Sequence, residues 1–336
     1  MRPSVKDVAQ LAGVSPMTVS NVVNGTKYVA PATRARVEEA VRTLGYRPNA
    51  SARRLRSGRS GIVALAVPKI EHAYFAELAG LVIEAAETHS WTVLIDQTGG
   101  TREHERMVLS GLREQLIDGL ILFPQSLTRR DVTERTGSVP VVMLGDHGRA
   151  ENIDTVVIDN VAAASAATRH LIDLGRTRIA AIGARRGRGA SDVERLRTRG
   201  FQDAVRGAGL PLDEHWRVAA TSFTRAEGAR AMSQLLDLPE PPDAVFCLND
   251  TLALGALHVA LTRGLSVPGD LAILGFDDVE DGRYSNPPLS TVAPDKQRIA
   301  TAAADLLHRR MRYGSAAPPE RYVAGYRLLP RATTSG

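Results

Sequence analysis

The chain has 336 residues, 43% of them hydrophobic, a net formal charge of +5 at pH 7 and one cysteine, Cys247. This length suggests two or three domains rather than one ordinary core. The single cysteine excludes a disulfide within the chain. No stretch approaches the roughly 18 consecutive apolar residues of a membrane span, and the first residues lack the apolar core of a signal peptide. We therefore expect a cytoplasmic protein without a membrane segment.

Three helices are predicted in the first 45 residues. Ser4 can cap the first helix, and Asp7 stands in the reciprocal position of a capping box. Gly13 is the turn to the second helix, in which Ser15 is the cap and Pro16 takes the first position, where its missing N–H costs nothing. The predicted helices run over Ser4–Ala12, Pro16 to Asn24, and about Ala32 to Leu44. The apolar side of the first is expected to contain Val5, Val8, Ala9, Leu11 and Ala12. The first two helices have helix-turn-helix geometry, in which the second helix enters the major groove of DNA.

Positive charge is concentrated at the N-terminus. Residues 1–60 hold eleven Lys and Arg but only three Asp and Glu, a net +8, whereas residues 61–336 carry −3. Five of the arginines lie between 47 and 59, where Ala50 to Arg56 could form about two turns, too short to be a stable helix alone in water. A basic head on a mildly acidic body is typical of a protein that contacts a phosphate backbone. The alternative, a solvated basic tail, is less favoured because the charges are interleaved with capped amphipathic helices.

Beyond residue 60, apolar strand-like runs alternate with amphipathic helices. The strand-like runs are Ile62–Val67, Thr92–Ile95, Gly119–Phe123, Val139–Leu144, Val156–Ile158, Ile179–Ile182, Ala244–Leu248 and Leu271–Gly275. The helical runs are Phe75–Thr88, Arg102–Gln115, Asn160–Leu174, Glu194–Ala208, Arg225–Leu236, Thr251–Arg263 and Asp295–Arg312. This alternation predicts an α/β fold with two doubly wound parallel-sheet lobes. Ligands of such sheets bind beyond the carboxyl ends of the strands, so polar residues just after strands are candidates for a site.

Motifs along nearly the whole chain resemble those of the LacI/GalR family of transcription regulators. They are VKDVA at 5–9, LAGVS at 11–15, LGYRPN at 44–49, FAEL at 75–78, HLIDLG at 170–175, NDTLALGA at 249–256, GFDD at 275–278 and PPLSTV at 287–292. The resemblance implies a three-helix head at 1–46, a hinge at 47–60 and an effector-binding and dimerisation core of periplasmic-binding-protein type at 61–336. The first lobe of that core would span about 61–158 and 292–322, and the second about 159–291 and 323–332.

The resemblance also implies that the protein binds operator DNA as a dimer, and it indicates which residues contact the DNA. The base-reading positions are Pro16, Met17 and Asn21, and an asparagine can bond adenine in a bidentate way. The phosphate-contacting positions are Thr18, Ser20, Asn24, Tyr28 and Thr33. The minor-groove hinge positions are Ala52, Arg53 and Leu55, with Leu55 as a wedge in an unstacked base step. Two alternatives are that Leu55 packs its hinge helix on the body and that the phosphate positions are ordinary caps. Many relatives have a long donor such as arginine at position 21, which puts the operator sequence in doubt.

By the same resemblance, Arg197, Asn249 and Asp277 are the polar ligands of a small-molecule effector between the lobes. Their chemistry suits hydroxyls, and Arg197 also suits an anion. Phe223, with Tyr74 or Phe75, could supply the apolar wall against a sugar face. One alternative is that Arg197 and Asp277 form an interlobe salt bridge, and another is that the aromatic residues belong to the core. The pocket departs from the common sugar type, since His72-Ala73 stands where Asn-Pro is frequent and Pro294 where Gln is frequent.

Several other features of the sequence bear on the ligand, on catalysis and on assembly. The Gly-rich cationic segment 183–191 could hold a phosphate, which leaves a phosphorylated effector open, although a solvated loop is the better interpretation. The chain has no Ser/His/Asp set, no paired CxxC zinc spacing and no GxGxxG after its first strand, so we expect no enzyme, no cofactor and no metal site. A solute-binding protein is disfavoured by the basic head. No leucine heptads follow the last strand, so a coiled-coil tetramer is not expected.

Overall fold

The computed structural model describes residues 3–24, 27–46, 59–111, 116–148, 150–184 and 191–335. The chain divides into two compact units, residues 1–60 and residues 61–336. No helix in the described part is long and apolar enough to cross a membrane.

The first unit contains three helices. They are α1 (Val5–Ala12), α2 (Pro16–Asn24) and α3 (Pro31–Leu44). Ser4 caps α1 in the predicted capping box with Asp7, and Gly13 ends it with a φ of 62°, in the left-handed region that favours glycine. The Ser15 hydroxyl accepts a hydrogen bond from the backbone N–H of Thr18 at 3.1 Å. The predicted caps of the first two helices are therefore confirmed.

These helices share a small apolar core. Its buried members are Val8, Ala9, Ala12, Val19, Val22, Val37, Ala40 and Tyr46. Leu11, predicted on the apolar side of α1, is instead 53% exposed. The reason is that Val8 and Ala12, one turn apart on α1, define the face that packs on the other two helices. In α2, Val19 and Val22 are buried, whereas the first residues, Pro16 and Met17, are exposed.

The second unit contains two six-stranded sheets. The strands are β1 (Ile62–Val67), β2 (Thr92–Gln97), β3 (Gly119–Leu122), β4 (Val141–Leu144), β5 (Asp154–Ile158), β6 (Ile179–Ile182), β7 (Arg217–Val218), β8 (Ala244–Cys247), β9 (Ala272–Phe276), β10 (Ser290–Pro294), β11 (Arg321–Ala324) and β12 (Tyr326–Leu329). The first sheet has the order β11-β5-β4-β3-β1-β2 and the second β12-β10-β9-β8-β6-β7. All pairs are parallel except β10 with β12, which is antiparallel. The predicted fold of two parallel-sheet lobes is confirmed.

Helices cover these sheets. They are α4 (Ala73–Glu87), α5 (Arg102–Leu109), α6 (Arg129–Thr133), α7 (Asn160–Asp173), α8 (Asp192–Gly207), α9 (Arg225–Leu236), α10 (Asp250–Thr262), α11 (Glu280–Arg283) and α12 (Lys296–Tyr313), with a 3-10 turn at Gly314–Ala316. In the first lobe, α4 and α12 pack on one face of the sheet, while Leu109 of α5 and Val132 of α6 belong to the core on the other. Four of the described strands were not predicted from the sequence: β7, β10, β11 and β12.

The chain passes between the two lobes three times. It leaves the first sheet after β5, returns to the first lobe after β10, and crosses again between β11 and β12. The expected lobe limits at 291/292 and 322/323 differ from these crossings, because β10 lies wholly in the second sheet and β11 wholly in the first. Ser290 and Thr291 of β10 are fully buried, and their hydroxyl groups interrupt the apolar pattern by which the other strands were predicted.

The segment after β12 is fastened into the second lobe. The Thr333 hydroxyl donates to the Ile273 carbonyl oxygen at 2.7 Å and accepts from the Ser290 N–H at 2.8 Å. The neighbouring Thr334 hydroxyl lies 2.7 Å from that of Ser290 and 3.0 Å from Nε2 of His170. Both threonines are buried, so the segment after β12 is part of the second lobe and lies against the first residues of β9 and β10.

Candidate functional site

The surface of the first unit that suits DNA is the start of α2. Pro16 and Met17 lie in its first turn, where the backbone N–H groups have no intrahelical partner, and the Met17 side chain is 66% exposed. Asn21 is half-buried one turn further on. A helix presented in this way places its first residues at base edges in the major groove.

The predicted phosphate-contacting residues have different environments. Tyr28 is 89% exposed, and Thr18 and Thr33 are half-buried. Ser20 is only 8% exposed, so its side chain is the least accessible of those that the structure describes in this set. The side chain of Asn24 and the hinge residues Ala52, Arg53 and Leu55 lie outside the part that the structure describes. Their predicted roles stay predictions.

In the second unit, Arg197 is the most constrained of the predicted effector ligands. It lies buried on α8, and its Nε donates to Oδ1 of Asn160 at 2.9 Å. Nη1 donates to the Leu248 carbonyl oxygen at 2.5 Å. The guanidinium carbon lies 3.4 Å above the centre of the Phe276 ring, a cation–π contact. These contacts fix the plane of the guanidinium group before any ligand arrives.

Asp277 follows β9 and faces Arg197. Its Oδ1 lies 3.5 Å from Nη2 of Arg197, at the outer limit of a hydrogen bond. Burial raises the pKa of Asp277 to about 6, although the positive charges of Arg197 and Lys296 favour its ionised form. Its neighbour Asp278 turns away and pairs with Arg283 at 2.8 Å and Arg331 at 2.5 Å. The two adjacent carboxylates therefore have separate partners.

A third buried carboxylate lies beside this pair. Asp250, the first residue of α10, accepts from the Thr291 hydroxyl at 2.6 Å and from the Val279 N–H at 2.9 Å. Burial and the negative charge of Asp277 raise the pKa of Asp250 to about 7. The preceding residue, Asn249, caps α10 by accepting the Leu252 N–H at 2.9 Å. The cap uses the amide oxygen of Asn249, so its NH₂ group is the part suited to a ligand acceptor.

The first lobe faces these groups with aromatic side chains. The Tyr74 ring is in edge contact with Phe75 at 5.4 Å and with Phe123 at 6.4 Å between centroids. Burial and the negative charge of Asp277 raise the pKa of the Tyr74 hydroxyl, while Arg197 lowers it, so the hydroxyl lies within electrostatic reach of both. Phe75 packs into the core of its own lobe. Of the two alternatives, Tyr74 is the residue within electrostatic range of Arg197 and Asp277, and Phe75 belongs to the core of the first lobe.

Two aromatic residues have supporting places. Phe123 was missed as a site residue, although it directly follows β3, where polar or apolar ligand contacts are expected in such sheets. Phe223 is half-buried and packs against the core of the second lobe. Arg197 contacts Asp277 and the carbonyl oxygen of Leu248, the residue before Asn249, whereas Phe223 packs with the core of the second lobe.

The Arg197–Asp277 contact is not an interlobe bridge. Arg197 on α8 and Asp277 after β9 both belong to the second lobe. The lobes are joined elsewhere. His147 after β4 lies 3.2 Å from Asp192 at the start of α8, and Lys296 with Glu77 contacts the turn after β9. These contacts were missed because the partners lie on different lobes, between 18 and 203 positions apart in the chain, and carry no local pattern.

Two further expectations concern the Gly-rich cationic loop and metal binding. Residues 185–190 of the Gly-rich cationic loop lie outside the described ranges, so its phosphate role stays untested. No group of three or more potential metal ligands lies together within the described residues.

A helix-turn-helix head on a two-lobed body with polar groups between the lobes defines a class: DNA-binding regulators with a small-molecule domain. Comparison with known proteins bears this out. Residues 4–49 match the family of bacterial regulatory proteins of lacI type, and residues 168–334 match a periplasmic binding protein-like domain. The chain is 35% identical to the HTH-type transcriptional repressor CytR of Escherichia coli (strain K12) over 309 residues, which cover 92% of this chain and 89% of that protein.

Solved structures agree. The CelR–cellobiose complex of a transcriptional regulator has a TM-score of 0.72 and 31% identity, covering 99% of this chain and all of that one. The Lac repressor dimer bound to operator and an anti-inducer has a TM-score of 0.86 and 26% identity, covering 99% of both. The chain belongs to the lacI family. It is a DNA-binding transcriptional repressor controlled by a small-molecule effector, and it is not an enzyme.

Proposed function

We propose that the protein binds a near-palindromic operator as a homodimer in the cytoplasm and changes its affinity for DNA when a sugar or related metabolite, free or phosphorylated, binds between its lobes. The functional domains are the head at 1–46, the hinge at 47–60 and the core at 61–336. The Lac repressor relative is a dimer on its operator, which supports the assembly, and the CelR relative binds cellobiose, which supports the ligand class.

One observation carries the effector role: Arg197 and Asp277 are buried together with an imperfect contact of 3.5 Å. Burying two charges is costly unless hydrogen bonds satisfy them. Arg197 also contacts Asn160, Leu248 and Phe276. The Asp277 carboxylate has a long contact of 3.5 Å with Arg197, and burial raises its pKa. A ligand with neighbouring hydroxyls would donate to Asp277 and accept from Arg197, and the Tyr74 ring would lie against its apolar face.

The DNA role rests on the charge and exposure of the head. Pro16, Met17 and Asn21 read bases, and the exposed or half-buried hydroxyls of Thr18, Tyr28 and Thr33 bind phosphates. Ser20 and Asn24 complete the phosphate set. The hinge residues Ala52, Arg53 and Leu55 would enter the minor groove between two subunits, where a wedge opens a base step.

The function is tested in two binding assays on the full chain. Selection from random double-stranded DNA should return a near-palindrome, as expected for two symmetric subunits. A thermal-shift panel of cellobiose, D-ribose and D-ribose 5-phosphate should then raise the melting temperature with at least one compound, and the same compound should change operator affinity. Recovery of a consensus without symmetry would contradict the dimer, and a compound that binds without altering operator affinity would contradict the effector role.

A further inference from the structure

The turn after β9, which carries Asp277, is held from the opposite lobe by two charged side chains. Lys296, the first residue of α12, donates from Nζ to the Asp278 carbonyl oxygen at 2.9 Å. Glu77 of α4 pairs with the same ammonium group and accepts the backbone N–H of Glu280 at 2.8 Å. Two backbone groups of a second-lobe turn are thus bound by first-lobe side chains.

The backbone of this turn needs such support. Asp277 has a φ of 113° and Asp278 a φ of 50°, both in the region that L residues rarely occupy. Such conformations persist only where surrounding contacts over-determine them. The second lobe supplies some of these contacts: Arg283 and Arg331 hold the Asp278 side chain, and Asp250 holds the Val279 N–H. The first lobe supplies the remaining ones named above.

The ammonium group of Lys296 binds the Glu77 carboxylate and the Asp278 carbonyl oxygen. Its side chain is only 10% exposed, and a buried cation is stable only when it is paired and hydrogen-bonded. Its partners are one carboxylate from its own lobe and one carbonyl from the other. If the lobes moved apart, Lys296 would lose the carbonyl and Glu77 would lose the Glu280 amide, so the contact depends on the arrangement of the lobes.

We propose that Lys296 and Glu77 are positioning residues for effector binding, which hold the Asp277 turn from the first lobe and so tie the ligand carboxylate to the arrangement of the two lobes. The inference rests on the proposed ligand role of Asp277. An effector alters lobe arrangement only through contacts that differ between the two arrangements. Here the residue that would bind the ligand and the residues that fasten the other lobe share one four-residue turn.

The first test is hydrogen exchange of the full-length protein without ligand, with Lys296→Met and Glu77→Ala. Losing the first-lobe contacts should speed exchange of amides 277–282 on the order of tenfold, while the strands of both sheets keep their protection. Lys296→Arg should restore slow exchange, because the guanidinium can reach the same carbonyl. Lys69→Met is the matched control, since it removes the same charge from the same lobe outside this contact. Unchanged exchange in the turn, or equal acceleration throughout both lobes, would overturn the proposal.

The second test reads Asp277 itself, since a merely structural role would leave its charge environment unaltered. The pKa of the Asp277 carboxyl is followed by carbon NMR in protein labelled at aspartate. Removing the Lys296 cation should raise that pKa above the wild-type value, whereas Lys296→Arg and Lys69→Met should leave it in place. An Asp277 titration identical in Lys296→Met and wild type would refute the positioning role. Neither test needs a ligand, so these results are separate from the outcome of the compound panel, on which the proposed function depends.

Discussion

Replacing Asp277 with Asn should abolish the response to effector and preserve operator binding. The substitution keeps the shape of the side chain but removes its charge, so a ligand hydroxyl loses a charge-assisted acceptor. Hydrogen bonds to charged groups contribute roughly 1.5–3 kcal/mol, and 1.4 kcal/mol corresponds to a factor of about ten in affinity. We therefore expect effector affinity to fall about tenfold to a hundredfold.

The cost to folding should be smaller than for most buried ion pairs. Removing one partner of such a pair costs about 3–5 kcal/mol when it leaves the other charge without compensation. Arg197 keeps its bonds to Asn160 and Leu248 and its contact with Phe276. Its contact with Asp277 is long, at 3.5 Å. Moreover, the raised pKa of Asp277 means that its charge is held at a cost in the folded state.

Two measurements check this prediction. Calorimetric titration with the compound found in the panel gives the affinity, and thermal melting without ligand gives the stability. Asp281→Asn is the matched control, because it changes a nearby exposed carboxylate that pairs with Arg225 instead. If Asp277→Asn lowers the melting temperature strongly in the absence of ligand, or if effector affinity is unchanged, then Asp277 is a structural residue and our reasoning about the site is wrong.

Three further predictions concern base reading, the hinge and the pH dependence of effector binding. Asn21→Ala should relax base choice by about 1–3 kcal/mol at one position of each half-site, and a selection on randomised sites that returns the wild-type consensus would refute this. Leu55→Ala should weaken specific binding more than nonspecific binding, because a wedge helps only where DNA is kinked; equal loss on both DNAs at matched salt would exclude the wedge. Effector affinity should fall about tenfold per pH unit below about pH 6, because Asp277, with a pKa of about 6, becomes protonated. The sign for folding is opposite: protonation relieves the cost of burial, so the contribution of Asp277 to the free energy of unfolding rises as the pH falls from about 6 to about 4. Titrations of wild type and Asp277→Asn across this range separate Asp277 from the neighbouring Asp250.

The head was predictable from its sequence because its signals are local. Ser4 with Asp7, Gly13, and Ser15 before Pro16 each act within one helical turn, and the structure places the helices within one or two residues of the predicted ends. The apolar strands of the body were also found, since most of them, such as β1 and β3, are buried nearly throughout and read as continuous apolar runs. Leu11 was misplaced because two faces of a short helix carry apolar residues and only packing selects between them.

The remaining features depend on tertiary structure. β10 contains buried hydroxyls that find partners such as Thr333, and β7, at two residues, is too short to leave a pattern. In the site, family resemblance pointed to Arg197, Asn249 and Asp277, but nothing in the sequence distinguished Tyr74 from Phe75 or indicated Phe123. The Lys296 and Glu77 contact joins residues 219 positions apart, so no spacing rule could have suggested it.

The three passages of the chain between the lobes have a consequence for the newly made protein. Neither lobe is a continuous stretch, since the first sheet needs β11 and the second needs β12. On the ribosome, the head is finished first, and at roughly 5–20 residues per second the roughly 270 residues up to β12 take about a quarter of a minute to a minute. During that interval a nascent chain exposes a basic head without a completed sensor. The response to an effector is therefore completed only when β12 has joined its sheet, long after the head has been synthesised.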